Sequence, residues 1–275
     1  MSGLRVRPHA PAADGSVLEV TPQSAGWDHV GFKVVRLSDG QTHSGGEAGR
    51  EACLVVVAGT ADITAGDAAF DAVGGRATPF EDRAPGAVYV PAGTAYAVTA
   101  RGPVELAVCT APGIGLGAPR LIAETDMPRE VRGAGTNTRH VRNILPETQP
   151  AEGLLVVEVI TPGGHWSSYP PHKHDTASPF EETALEETYY HRLNPPQGFA
   201  IQRVYTDDRS LDETVSVEDG DVVMVPRGYH PVGAPHGYDL YYLNVMAGPK
   251  RHWIFRNDPA HDWIAKAAAP PPPKD

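Results

Sequence analysis

Glu218-Asp-Gly-Asp-Val-Val-Met-Val-Pro226-Arg-Gly228 in the second half of the chain repeats the order of Pro85-Gly-Ala-Val-Tyr-Val-Pro91-Ala-Gly93 in the first: a turn, a short apolar run, then Pro and Gly. Upstream, Glu51-Ala-Cys-Leu-Val-Val-Val-Ala-Gly59 takes the place that Glu187-Thr-Tyr-Tyr190 takes later. A unit used twice predicts two copies of one β-module. Each copy is expected to be a jelly-roll β-barrel, because two sheets closing on one another protect their edges and leave an open mouth for a site. The fold class expected is therefore all-β, with two tandem barrel modules over 1–125 and 126–265 and a Pro-rich tail over 266–275.

The surrounding sequence has the same texture. The 29 Gly and 27 Pro are scattered between short runs rich in Val, Ile, Thr and Tyr, as in an all-β chain. Runs such as Val30-Gly-Phe-Lys-Val-Val-Arg-Leu37, Gly153-Leu-Leu-Val-Val-Glu-Val-Ile160, Phe199-Ala-Ile-Gln-Arg-Val-Tyr205 and Asp239-Leu-Tyr-Tyr-Leu-Asn-Val-Met246 read as strands. The stretch 114–150 reads as a connection holding one strand, near Arg139-His-Val-Arg-Asn-Ile-Leu145, and Pro179 to Leu185 as one short helical turn.

The second module carries a constellation that the first lacks. On a strand, residues two apart share a face, so His172 and His174 of His-Lys-His can aim both imidazoles into one barrel while Lys173 points elsewhere, in a surface ion pair. That spacing is weak by itself among twelve histidines. Glu187, at the start of a strand, and His230, after the Pro-Arg-Gly turn, can converge on the same barrel mouth. Three neutral imidazoles and one carboxylate suit Zn, Mn, Fe, Ni or Co, with positions left open for water or substrate. Alternation puts Glu187, Tyr189 and His191 on one face and Tyr190 on the other; Glu186 is the fallback ligand. The first module has Ala95 where the second has His230, and no His-x-His pair. It is expected to hold no metal and to serve structure or dimerisation.

Other polar residues in apolar runs are candidates because burying them is costly without a partner. Gln202 and Arg203 must face opposite sides of their strand, so one of them at most enters the cavity. Tyr241 and Asn244 are likewise on opposite faces.

Composition narrows the function classes. A formal charge of -11 gives no basic field for nucleic acid. No run approaches the roughly 18 to 20 apolar residues that span a bilayer, and the N-terminus lacks a secretory signal. A cytoplasmic protein is expected, with Cys53 and Cys109 as free packed thiols. No phosphate-binding Gly-rich loop, nucleophile elbow or Cys-x-x-Cys pair is present.

Several segments together resemble a known family: Pro170-Pro-His-Lys-His-Asp175, Leu185-Glu-Glu-Thr-Tyr-Tyr190, Gln197-Gly-Phe-Ala-Ile-Gln-Arg203-Val-Tyr205, Asp219 to Val232 and Gly237 to Gly248. They resemble cupins, and more closely the 5-deoxy-glucuronate isomerase family of inositol catabolism, related to the 4-deoxy-5-hexulose-uronate isomerases. That family leads one to expect a third aromatic where His191 stands. The resemblance implies a bicupin that converts 5-deoxy-D-glucuronate to 5-dehydro-2-deoxy-D-gluconate with one catalytic divalent metal ion, Zn, Mn or Fe, working as a homo-oligomer on a small anionic sugar. For the acid-base group the candidates are Glu182, Glu186, Tyr189 and a metal-bound hydroxide. For binding substrate they are Arg203 or Arg192 at the distal carboxylate, with Gln202 and Tyr241. Two rival readings are an Fe(II) cupin dioxygenase and a non-catalytic sugar-binding bicupin.

Overall fold

In the computed structural model, which describes residues 3–267, nearly every element is a strand. Two antiparallel sheets organise the molecule. In the first, the order is Arg120–Ile122, Gly86–Val90, Arg50–Ala65, Val104–Pro112, Gly31–Leu37, Ser16–Val20. In the second, it is Arg5–Val6, Val222–Val225, Glu186–Asn194, Asp239–Ala247, Leu155–Thr161, Arg139–Leu145, Glu130–Arg132. Each curls over a smaller set of strands to form a barrel. In the first module that set is the far end of Arg50–Ala65 with Ala68–Arg76, Tyr96–Ala100 and Thr42–Gly45. In the second it is Trp166–Ser167, Val232–Gly233, Ala200–Tyr205 and Asp212–Val217.

Period-two alternation divides the apolar side chains among three cores. Leu54, Val56, Val88 and Leu106 fill the first barrel, and Tyr189, Leu193, Val223 and Met246 fill the second. The opposite faces of the same strands meet between the modules, where Phe32, Val55, Tyr89, Tyr190, Tyr241 and Val245 form one shared core. Tyr190 thus faces outward from its barrel, as alternation predicted, but into the neighbouring module and not into solvent. Burying each of these large side chains contributes about 1.5–3 kcal/mol, so the two modules are packed as one body.

Charge buried at this junction includes two paired groups. Arg76 of the first module meets Glu158 of the second through two hydrogen bonds of 3.1 and 2.8 Å, with both side chains buried. Glu105 accepts from the Tyr190 hydroxyl at 2.9 Å and from Arg192 Nη1 at 2.6 Å.

Three expectations are corrected. The stretch 114–150 holds three strands, since Arg120–Ile122 and Glu130–Arg132 join Arg139–Leu145; each of the two added strands has three residues, too short for any periodicity to show. Pro179 to Leu185 is no helical turn, because Asp175–Ser178 and Glu182–Ala184 pair as a hairpin. The division at 125 is crossed at the N-terminus, where Arg5–Val6 pairs with Val222 and Val223 and extends the second module's sheet. A short helix, Trp263–Ala267, ends the described chain, so most of the expected tail over 266–275 lies outside the described residues.

Candidate metal centre

The second barrel brings His172, His174, Glu187 and His230 together. His172 enters from the two-residue strand His172–Lys173, held in place by pairing with Arg256–Asn257, and His174 follows it. Glu187 sits on Glu186–Asn194 opposite Val225 and Met246. His230 follows the Pro226-Arg-Gly228 turn, where Gly228 has φ +90° and an added Cβ would lie 2.4 Å from the Tyr205 carbonyl oxygen. Only glycine fits that backbone, which explains the Pro-x-Gly signature before the histidine.

All four side chains are buried. One nitrogen from each of the three imidazoles lies within 4.8 Å of the others. Glu187 Oε2 is 3.1 Å from His174 Nε2 and 3.2 Å from His230 Nε2. His230 Nδ1 is 2.8 Å from the Gly228 carbonyl and His174 Nδ1 3.3 Å from that of Leu185. These backbone acceptors hold the proton on Nδ1 and leave the Nε2 lone pairs facing Glu187.

Burial lowers the His172 pKa well below its ordinary value and brings that of His230 to about 4. Burial alone would also lower His174, but the Glu187 carboxylate outweighs it and raises the value. The decisive atom is His230 Nε2, which is buried and, although 3.2 Å from Glu187 Oε2, is not aligned for a hydrogen bond with it or with any other group. An orphaned lone pair among two further imidazoles and a carboxylate is costly unless something positive occupies the centre. The donor set therefore fits a divalent metal ion.

Support around the ligands is dense. Asn244 Nδ2 donates to Glu187 Oε1 at 2.5 Å, and Gln202 lies deep in the barrel, where Oε1 is 3.0 Å from His191 Nε2 and Nε2 is 3.5 Å from the His230 carbonyl. Tyr189 lines the same space as alternation predicted: its ring centroid is 5.7 Å from that of His230 and its hydroxyl is 2.9 Å from Ser168 Oγ. Burial and the Glu187 charge push its pKa well above the ordinary value, so the phenol keeps its proton. Ser168 escapes the sequence reading, and of the pair on opposite faces it is Asn244, not Tyr241, that reaches the site. Asn244 had a signal, a polar residue in an apolar strand; Ser168 had none.

Several candidates point elsewhere. Glu186 accepts from the backbone N–H groups of Asp28, His29 and Val30 at 2.7–2.9 Å, across the module junction. A carboxylate oxygen of Glu186 also lies with Asp28 and His29 side chains in a second possible metal cluster, but those three amides already satisfy it. Glu182 accepts from Lys173 Nζ, Asp175 N and Thr176 N, at 3.2, 2.8 and 3.1 Å, and braces the loop that carries His174. Lys173 is accordingly buried in an ion-pair cluster and is not a surface residue. Arg203 is bidentate to Asp212 on the outer face, Arg192 is held by Glu105 and Asp219, and Tyr241 lies in the core between the modules beside Arg76. None of Glu182, Glu186, Arg192, Arg203 and Tyr241 faces the histidines: the first four are committed to other polar partners, and Tyr241 packs in the core between the modules.

Residues 4–264 match the profile of the KduI/IolB family. The chain belongs to that family. Family relatives include a 5-deoxy-glucuronate isomerase from Geobacillus kaustophilus, 55% identical over 97% of both chains, and one from Bacillus subtilis, 49% identical over 90% of this chain and 92% of that one. With such relatives, this KduI/IolB chain is an isomerase. The solved structure of an IolB-like protein from Salmonella typhimurium superposes with a TM-score of 0.93 at 52% identity, covering 96% and 99% of the two chains. An oxalate decarboxylase from Lactobacillus farciminis superposes at 0.67 with 16% identity, covering 94% and 89%, which identifies the bicupin fold alone.

Proposed function

We propose that the chain converts 5-deoxy-D-glucuronate to 5-dehydro-2-deoxy-D-gluconate, an aldose-to-ketose step of inositol catabolism, at a divalent metal held by His172, His174, Glu187 and His230 in the second barrel. The observation that carries this reading is the buried, unpartnered His230 Nε2 facing two imidazoles and a carboxylate. The names of the relatives support the reaction. When bound, a Zn, Mn or Fe ion would supply Lewis-acid polarisation of the substrate carbonyl.

The reaction moves one proton from C2 to C1 and a second from the C2 hydroxyl to the C1 oxygen, which shifts the carbonyl from C1 to C2 with no net oxidation. The chain's own groups order that transfer. The backbone-anchored imidazoles of His174 and His230, with Asn244, fix the ligand set, so little reorganisation is needed as charge develops on the substrate oxygens. Tyr189, kept protonated by burial, can donate its hydroxyl proton to such an oxygen. Glu182 and Glu186 take no part, since both carboxylates are turned to other partners: three backbone amides hold the two oxygens of Glu186, and Lys173 with two amides holds Oε1 of Glu182.

Two free buried thiols, Cys53 and Cys109, suit a reducing compartment and support a cytoplasmic location. The described residues contain no helix long and apolar enough to cross a membrane. Exposed Ile114, Leu116 and Val131 in the stretch between the modules support a homo-oligomer. The test is anaerobic conversion of the uronate in deuterated water, followed by NMR with Zn as the added metal. Ketose formation under those conditions is the expected result. A requirement for oxygen and a redox-active metal would establish the dioxygenase reading instead, and saturable binding without turnover the sugar-binding one.

A further inference from the structure

A cavity of about 490 Å³ opens beside the histidine cluster, with His172 in its wall. Its size lies in the range of small-molecule sites. Phe255, Ile264 and Ala265 form an apolar side, while Asn137, Tyr169 and Asn257 supply polar groups. Arg139 is the one Lys, Arg, Asp or Glu among its lining residues.

Arg139 differs from Arg76, Arg192 and Arg142 in what surrounds its guanidinium. Arg76 is paired with Glu158, Arg192 with Glu105 and Asp219, and Arg142 with Asp82. Arg139 Nη1 reaches only the backbone carbonyls of Asn137, at 3.2 Å, and Tyr169, at 3.5 Å. Among the described residues it makes no ion pair. Its neighbour across the strand pair is Arg132, a like charge, which is itself tied to Glu130. A guanidinium presents five donors in a rigid fork that matches a carboxylate, and here most of that fork is unused. The positive charge of Arg139 thus stands in the wall of the site without a counter-ion, on the same cavity as a candidate metal ligand.

We propose that Arg139 is the substrate-binding residue that receives the carboxylate of an open-chain sugar acid, while the other end of the molecule, bearing the carbonyl and the adjacent hydroxyl, lies at the histidines. This deepens the isomerase reading and rests on it for the identity of the second end. It replaces Arg203 and Arg192, whose guanidinium groups are committed to Asp212 and to Glu105 with Asp219. Selectivity for a uronate over a neutral aldose follows, because only a charged end satisfies the fork.

The test uses the full-length, metal-loaded protein and its Arg139→Ala, Arg139→Gln and Arg139→Lys variants. Calorimetric binding and KM are measured for the uronate and for the analogue whose carboxylate is replaced by a primary alcohol. Removing a charge-assisted pair is expected to weaken uronate binding and raise KM roughly 10- to 100-fold. Metal content and circular dichroism should stay as in the parent, and the uronate-to-alcohol preference should fall towards one. Arg139→Lys, which restores charge without the fork, should recover part of the loss. Uronate binding by a folded Arg139→Gln variant equal to that of the parent would overturn the proposal, as would equal losses for acid and alcohol. Arg139-dependent uronate binding by a parent protein that shows no isomerisation would leave this anchor standing and remove the reaction assigned above.

Discussion

The strands Arg50–Ala65 and Glu186–Asn194 begin in the same register in the two modules, and the modules differ at candidate metal-ligand positions. Glu51 pairs with Ala111 in the first module as Glu186 pairs with Ala247 in the second. Ala52 pairs with Val90 as Glu187 pairs with Val225. Counting on from those valines sets Ala95 against His230, so the first barrel has alanine at two of the four places where the second has a candidate ligand. What the modules retain in common is the preceding glutamate. Glu51 accepts from the backbone N–H of Glu152, Gly153 and Leu154 at 2.6–2.8 Å, and Glu186 accepts from Asp28, His29 and Val30. Each module thereby clamps the segment that leads into a central strand of the other, Leu155–Thr161 or Gly31–Leu37. Duplication kept the clamp twice and the metal ligands once.

That comparison can be broken at several points. The largest effect is expected at the residues present only in the second barrel. His230→Ala or His174→Ala should abolish metal binding and lower turnover by at least about 1,000-fold, measured by elemental analysis and the isomerisation assay; the loss of one ligand from a buried set leaves the others misdirected. Next comes the junction. Arg76→Met leaves the Glu158 carboxylate buried without its bidentate partner and should destabilise the chain by about 3 kcal/mol in denaturant unfolding.

The paired clamps give the sharpest contrast. Glu51→Gln and Glu186→Gln should each cost about 1–3 kcal/mol, through loss of charge-assisted bonds to three amides. Glu186→Gln should in addition weaken metal affinity about 10-fold, because Glu186 fixes the strand at the residue before Glu187; Glu51→Gln, followed by Ala52, should leave it unchanged. Equal metal affinity in the two variants would show that the clamp serves stability alone. The smallest effect is expected outside the barrel, where Arg203→Ala removes an exposed pair with Asp212 and should change turnover less than about twofold.

Much of this was legible because strand alternation is strict. The repeat around Pro91 and Pro226, the facing of Glu187, Tyr189 and His191, and the outward Tyr190 all follow from a period of two. The alignment of Glu51 with Glu187 was off by one residue, and on a strand one residue exchanges the two faces. Sequence order alone aligns acidic residues with one another; only the ladder partners Ala111 and Ala247 show that the matching glutamate is Glu186. The arginines expected at the substrate carboxylate show a related effect. Arg203 and Arg192 lie inside recognisable motifs, but their counter-ions, Asp212, Glu105 and Asp219, come from elsewhere in the fold. Arg139 begins a strand in the connecting region and acquires its place only when the segment 133–139 folds beside His172. Lys173 was expected at the surface because alternation turns it from the barrel; the Asp175–Ser178 and Glu182–Ala184 hairpin then covers it.

The central claim is that this chain isomerises a sugar acid at a metal held by the second barrel. Its most direct test is to strip the purified protein with a chelator, measure uronate isomerisation, and titrate Zn or Mn back while counting bound ions per chain. Loss of turnover on stripping, with recovery that saturates at about one ion per chain, is the predicted result. Undiminished turnover by metal-free protein would contradict the account.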